Sequence, residues 1–268
     1  MDPCDSNSTS IFGTLQRAPL LVGDQAGAPR FDRATLNRKC PATTLNLNQK
    51  LGHVYEDAMA ALIADAPTLE LIAKNLQIFG AEGRTLGELD FVVYDSVSDK
   101  HIHLELAVKF YLSIQQDGAW QFPGPDPRDN WGRKLERMRT HQFKLSQSKE
   151  AKALLHDKFG IATIETQQLI YGRLFDPLGA DERPCLPAMA PDAQRGRWLN
   201  LRDWDRHFSE NTRPSLIPKS LWPMEMDSIG RSRLTPLSIQ VLKEAATERC
   251  VMFATTDSEE PYFLVPDS

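Results

Sequence analysis

The chain has 268 residues and a formal net charge of −5, with 41% hydrophobic and 25% charged side chains. These are the values of a soluble globular protein built as one large domain, or as one domain with an appendage. No apolar run approaches the roughly 18 residues that span a bilayer, so no membrane partner is expected, and the acidic balance excludes a basic surface over the whole protein but not a local one.

Residues 1–44 are rich in Ser, Pro, Gly, Asp and Arg with little periodicity, and read as an N-terminal arm, partly mobile. The start Met-Asp-Pro-Cys-Asp-Ser lacks the basic residues and apolar stretch of a secretory signal, so the expected location is the cytoplasm. A first helix is expected from about Asn46, because Leu47, Leu51, Val54, Ala58 and Leu62 recur at steps of three and four; Ala66-Pro67 ends it. Three strands follow: Leu69–Phe79, Leu86–Tyr94 and His101–Leu112, the last two separated by the turn-like Asp95–Lys100. After a Pro/Gly loop at Gln121–Asp129, one long helix is expected from about Asn130 to His156, then a fourth strand at Gln167–Phe175. Residues 45–176 thus form a core in the order helix, three strands, helix, strand. Residues 177–268 read as an irregular C-terminal extension packed on that core, with a helix at Leu237–Glu248 and a closing hairpin of Cys250–Thr255 and Tyr262–Val265. The expected class is α/β, a mixed central sheet flanked by helices.

The second and third strands hold the sharpest chemical signal. Asp90 lies in Gly87-Glu88-Leu89-Asp90, and fifteen residues later the chain reads Glu105-Leu106-Ala107-Val108-Lys109. Strand side chains alternate, so Glu105, Ala107 and Lys109 share one face, as do Glu88 and Asp90. If the strands pair, two carboxylates and a lysine converge. Mg²⁺ or Mn²⁺ takes oxygen ligands and needs only one or two carboxylates from the protein, so Asp90 and Glu105 are the candidate metal ligands. Such an ion polarises a phosphoryl oxygen and acidifies water, while Lys109 orients water or meets developing negative charge. The alternative is a cross-strand ion-pair cluster on a solvated face. His101 and His103 share a face of the same strand, where a pair of imidazoles can bind a metal, but they read as ordinary strand residues near the turn. Cys4, Cys40, Cys185 and Cys250 are too irregularly spaced for a zinc site or a disulfide framework, and no P-loop, Gly-x-Gly-x-x-Gly or Gly-x-Ser-x-Gly is present.

The element order and the Asp…Glu-x-x-x-Lys constellation resemble the PD-(D/E)XK nucleases, the superfamily of restriction endonucleases and Holliday-junction resolvases. More narrowly, Thr85–Phe91, His103–Leu112 and His141-Gln142 resemble an uncharacterised bacterial family, the conserved domain of unknown function 1853. That likeness is good over about residues 45–175, and it brings no established activity. The superfamily resemblance implies that Asp90 is a metal-binding acid of the second strand and Lys109 the lysine of the third. The superfamily has an acid two residues before that lysine; here the position is Ala107, and Glu105 lies two further back on the same face. The resemblance further implies that Glu56 is the acid of the first helix and Gln142 the glutamine that exonuclease-like members place on the helix after the third strand, with Glu88 a weaker candidate ligand.

The segment Arg128–Lys152 holds eight Lys/Arg against three Asp/Glu, and Arg133, Arg137 and Lys144 can line one helical face together with Thr140, a phosphate track for nucleic acid. The expected function is a Mg²⁺- or Mn²⁺-dependent nuclease acting on nucleic acid, DNA favoured, through Lys109, Asp90, Glu105, Glu56 and Gln142. The competing expectation is a non-catalytic nucleic-acid-binding or scaffold module that retains the fold. Oligomeric state is left open.

Overall fold

A computed structural model describes residues 6–37, 39–126, 128–230 and 234–267. Its first helix, α1 (Ser6–Arg17), lies in the segment read as an arm. Only Ile11, Phe12 and Leu15 give it an apolar stripe, too short to stand out among serines and threonines. All three are fully buried, in one cluster with Val54, Tyr55 and Ala58 of α2 (Leu51–Ala64). Past α1 the chain runs along the sheet, where the Leu21 amide donates to the Ile170 carbonyl and the Gln168 amide to the Pro29 carbonyl. α2 starts at Leu51, not near Asn46, and buries Val54, Ala58 and Leu62 of the expected stripe.

The strands β1 (Leu69–Phe79), β2 (Thr85–Asp95), β3 (Lys100–Leu112) and β6 (Glu165–Pro177) fall within two residues of their expected bounds. A short hairpin, β4 (Ile114–Gln116) with β5 (Ala119–Gln121), leads from β3 into the Pro/Gly loop.

The long helix expected over Asn130–His156 is three pieces. Asn130 caps α3 (Trp131–Thr140), accepting from the Gly132 and Arg133 amides. At His141 the backbone (φ −126°, ψ −64°) leaves helical geometry and the imidazole bonds the Leu86 carbonyl at 2.8 Å. A 3₁₀ segment covers Gln142–Gln147; Ser148 then caps α4 (Lys149–Phe159), which stops at Gly160 in the left-handed region. The break lets one stretch of chain cover two parts of the sheet. Leu135 and Met138 pack with Tyr111 and Ile170, whereas Leu145, Ala151 and Leu155 pack with Leu89 and Val92. It also removes the continuous helical face expected to carry Arg133, Arg137 and Lys144.

Residues 177–268 are not an irregular extension, because they continue the same sheet. β7 (Arg195–Asn200), α5 (Trp204–His207), β8 (Ser215–Leu216), α6 (Met226–Ile229), β9 (Thr235–Pro236), α7 (Ile239–Ala245), β10 (Val251–Ala254) and β11 (Tyr262–Val265) follow in order. The nine-stranded sheet runs β1-β2-β3-β6-β7-β11-β10-β8-β9. β3, β6, β7 and β11 are mutually parallel neighbours and the other pairs are antiparallel, so the sheet is mixed, with helices against it. The expected closing hairpin is β10–β11. β7 escapes a hydrophobic reading because polar contacts hold its arginines: Arg195 grips the fully buried Asp176 through two bonds of 2.8 and 2.9 Å, joined by Arg183 at 3.0 Å.

Candidate functional site

The β2–β3 ladder is short. It runs from Asp95↔Lys100 to Phe91↔Leu104 and there the strands part. Beyond that point β2 stays with β1 as far as Thr85, and β3 stays with β6 as far as Leu112. Asp90 and Glu105 are the next residues on either arm of this fork. The Leu106 amide, which has lost a ladder partner, donates to Asp90 Oδ2 at 2.9 Å.

Strict alternation also slips at Asp90. Leu89 and Val92, three apart, both pack in the cluster with α4, while Phe91 and Val93 pack in the cluster with α2. The β1 residue between the partners of Phe91 and Leu89 is Asn75, held at φ 54°. Asn tolerates that region better than most residues. Asn75 Nδ2 donates to Glu56 Oε2 at 3.4 Å, tying α2 to the mouth of the fork, and the buried Asn75 Oδ1 has no partner among the described residues. Glu56 also meets the His53 ring at 3.3 Å, and Glu88 accepts from Gln77 at 3.1 Å.

The electrostatics follow from this packing. Burial holds the Asp90 carboxyl well above the usual carboxylate range; the charge of Glu105 adds to the effect, the Leu106 amide partly offsets it, and Glu56 and Glu88 add more. Asp90 thus senses all three other candidate acids, Glu105 most strongly.

Glu105 is buried at 5% exposure and both oxygens are engaged. Oε1 meets His103 Nε2 at 2.9 Å and Oε2 accepts from Gln142 Nε2 at 3.2 Å. His103, read from the sequence as an ordinary strand residue, is fully buried, with Nδ1 3.4 Å from the Thr166 hydroxyl. Gln142 reaches Glu105 from the 3₁₀ segment, and its Oε1 accepts from Lys134 Nζ at 2.7 Å.

Lys109 stands on the third strand as expected, and it is ion-paired to Asp129 at 2.8 Å. The Tyr111 hydroxyl lies 3.5 Å from the other Asp129 oxygen. Lys109 and Asp129 also line an apolar cleft of about 1070 Å³ that includes Val108, Phe110, Trp198 and Trp222. Opposite Lys109 in β6 is Gly172 at φ 140°, so the two backbones approach where a side chain would collide.

Arg133, Arg137 and Lys144 are all exposed, the first two on α3 and the third on the 3₁₀ segment; Arg133 donates to the Arg128 carbonyl at 2.9 Å. The sequence reading missed Asn75, Asp129 and Lys134. Asp129 carries a weak signal, an acid beside the capping Asn130 at the start of a helix. The other two have none, since their contacts depend on the left-handed backbone at Asn75 and on how α3 is rotated.

Among the described residues, no three His, Cys, Asp or Glu side chains stand together as a group able to hold a metal ion. A cation here would rest on two carboxylates and on oxygens from outside the chain, which is a common arrangement for Mg²⁺. The donor set fits: Asp90 has a spare oxygen, each Glu105 oxygen retains lone pairs, and Asn75 Oδ1, unpartnered among the described residues, lies beside the fork. No helix of the described residues is long and apolar enough to cross a membrane.

No curated protein and no solved structure matches the chain. A family model described as a domain of unknown function, DUF1853, matches residues 14–257, and the chain belongs to that family.

Proposed function

We propose that this protein is a divalent-metal-dependent nuclease that hydrolyses phosphodiester bonds in nucleic acid, DNA in the first instance. The observation that carries the reading is the fork: β2 and β3 separate at Asp90 and Glu105, and burial and Glu105 both oppose ionisation of Asp90 there. A site that concentrates unfavourable carboxylate charge at a strand junction is suited to a cation. The run α2, β1, β2, β3, α3/α4, β6, with sheet order β1-β2-β3-β6, supports a restriction-endonuclease-like core.

Asp90 and Glu105 would hold Mg²⁺ or Mn²⁺. When bound, the cation polarises a phosphoryl oxygen and acidifies water. His103 and Gln142 fix the Glu105 carboxylate from either side. Lys109, restrained by Asp129, supplies positive charge for water or for the developing oxyanion. Glu56 acts at one remove, by holding Asn75 against the fork. Exposed Arg133, Arg137 and Lys144 offer phosphate contacts.

Two observations favour the second reading, a non-catalytic nucleic-acid-binding or scaffold module. Lys109 is already neutralised by Asp129, and both Glu105 oxygens are already bonded. The two readings separate in a cleavage assay of single-stranded, duplex and branched DNA and of RNA with Mg²⁺ or Mn²⁺. The nuclease reading predicts cutting that Asp90→Ala lowers by about a hundredfold or more, the effect expected when a group that acts in the transition state is lost. Binding without cutting above the Asp90→Ala background would give the second reading the field.

A further inference from the structure

Beyond the fork, β3 has an open edge. Its pairing with β6 runs from Ile102↔Glu165 to Leu112↔Phe175 without a shift of register, so backbone groups alternate strictly along it. Residues turned towards β6 alternate with residues turned away. The Ser113 amide, which donates to the Phe175 carbonyl, belongs to the first set. The Leu106 amide, which donates to Asp90 Oδ2, and the Leu112 amide, which donates to the Pro123 carbonyl, belong to the second. Val108 and Phe110 lie between those two with the same parity. β2 has left by then, because the β2–β3 ladder ends at Leu104. No hydrogen bond among the described residues takes up the N–H or the C=O of Val108 or of Phe110.

The open stretch borders the cleft of about 1070 Å³, whose lining includes Val108, Phe110, Leu112, Trp198, Ile217 and Trp222. Val108 and Phe110 pack on the side of Trp222, whereas Lys109, on the alternate face, is held by Asp129. Backbone polar groups beside an apolar wall are costly when unmatched. Two N–H and two C=O groups stand here at the strand repeat, and the pattern of partial charge that complements them is a second extended backbone. A nucleic-acid backbone offers acceptors and would leave the two carbonyls unmatched. A peptide strand laid on the edge alternates its own side chains. Every second one enters the cleft against Phe110 and Trp222, and those between face the Lys109–Asp129 pair. We infer that the β3 edge from Leu106 to Leu112 is a docking site for an extended segment of a partner polypeptide with apolar side chains at alternate positions. The docking site does not rest on the nuclease reading.

The test selects peptides from a displayed random library on the full chain, and the binders are then synthesised with single N-methyl groups at successive backbone positions. Edge pairing predicts a period of two. N-methylation at alternate residues is expected to weaken binding by about tenfold or more, because it removes a hydrogen bond and blocks the approach, while N-methylation between them changes little. On the protein side, Val108→Pro removes an N–H that the fold does not use, so it is expected to abolish binding with little change in the thermal midpoint. The N-methyl series leaves the protein unaltered and decides the matter even where Val108→Pro fails to fold. Selection of no binder would overturn the docking site, as would binders whose affinity shows no period of two or survives in folded Val108→Pro. A free chain that is dimeric and becomes monomeric in Val108→Pro would give the edge to a second copy and overturn the proposal. Loss of oligothymidylate binding in Val108→Pro, with no peptide binder, would give it to nucleic acid and overturn the proposal likewise.

Discussion

Gly172→Ala is expected to leave little of the native fold. β6 pairs with β3 through a parallel ladder from Ile102↔Glu165 to Leu112↔Phe175, and Gly172 sits inside it opposite Lys109. A Cβ at position 172 would lie 1.6 Å from the Lys109 carbonyl oxygen and 2.7 Å from its carbonyl carbon. Both atoms are backbone, so no side chain can swing aside. The residue also has φ 140°, a region that residues with a Cβ avoid. Relief requires the two strands to separate where they carry the site. Overpacking and backbone strain each cost about 1–3 kcal/mol, against a total stability on the order of 5–15 kcal/mol. The expected loss is therefore about 2–6 kcal/mol, read as a fall in the urea midpoint or as failure to purify folded protein. A variant that unfolds at the wild-type midpoint would show that the close approach of Gly172 to Lys109 is absent.

Asp90→Asn is expected to have the opposite effect on stability and to remove function. Burial and Glu105 hold the Asp90 carboxyl above its ordinary range, so ionisation costs more in the folded state than in the unfolded chain. The sign follows. Below the unfolded carboxyl pKa, about 4, both states keep the proton and wild type and variant are equally stable. As the pH rises through that value towards the folded pKa, the unfolded chain ionises first and the wild type loses stability. Above the folded pKa the gap is constant. Asparagine can still accept from the Leu106 amide and carries no charge, so at neutral pH it should be more stable by about 1–2 kcal/mol, a size typical of relieving a functional compromise. Urea midpoints from pH about 3 to about 8 test this. A variant less stable than wild type at neutral pH, or a gap that does not change with pH, would contradict it.

The alternating strands were legible because hydrophobic alternation and turn residues bound them. Leu69–Phe79 was read to the residue, and β3 differs from its reading only at Lys100. Asp90, Glu105 and Lys109 were singled out by strand parity together with the family resemblance, and the alternation that puts Glu88 and Asp90 on one face slips at Asp90. The fork was not legible, since nothing in Leu86–Tyr94 marks where cross-strand pairing stops. The break at His141 was also hidden. Leu135, Met138, Gln142 and Leu145 fit one helical stripe, and the bond from the His141 ring to the Leu86 carbonyl that accompanies the break is tertiary. Gln142 nevertheless reaches Glu105, from a 3₁₀ turn and not from the helix expected to present it. β7 and α1 were missed for opposite reasons. β7 is stabilised by Arg195 on buried Asp176 and so shows no apolar pattern, whereas α1 has an apolar pattern of only three residues.

Asp90 and Glu105 are proposed to form a divalent-cation site at the β2–β3 fork. The most direct measurement is a calorimetric titration of Mn²⁺ into the wild type, Asp90→Asn and Glu105→Gln, all confirmed folded. The proposed site predicts saturable binding to the wild type that both substitutions abolish or weaken by about tenfold or more, because each removes one of two carboxylate ligands. No saturable heat with the wild type, or the same binding in all three proteins, would contradict it.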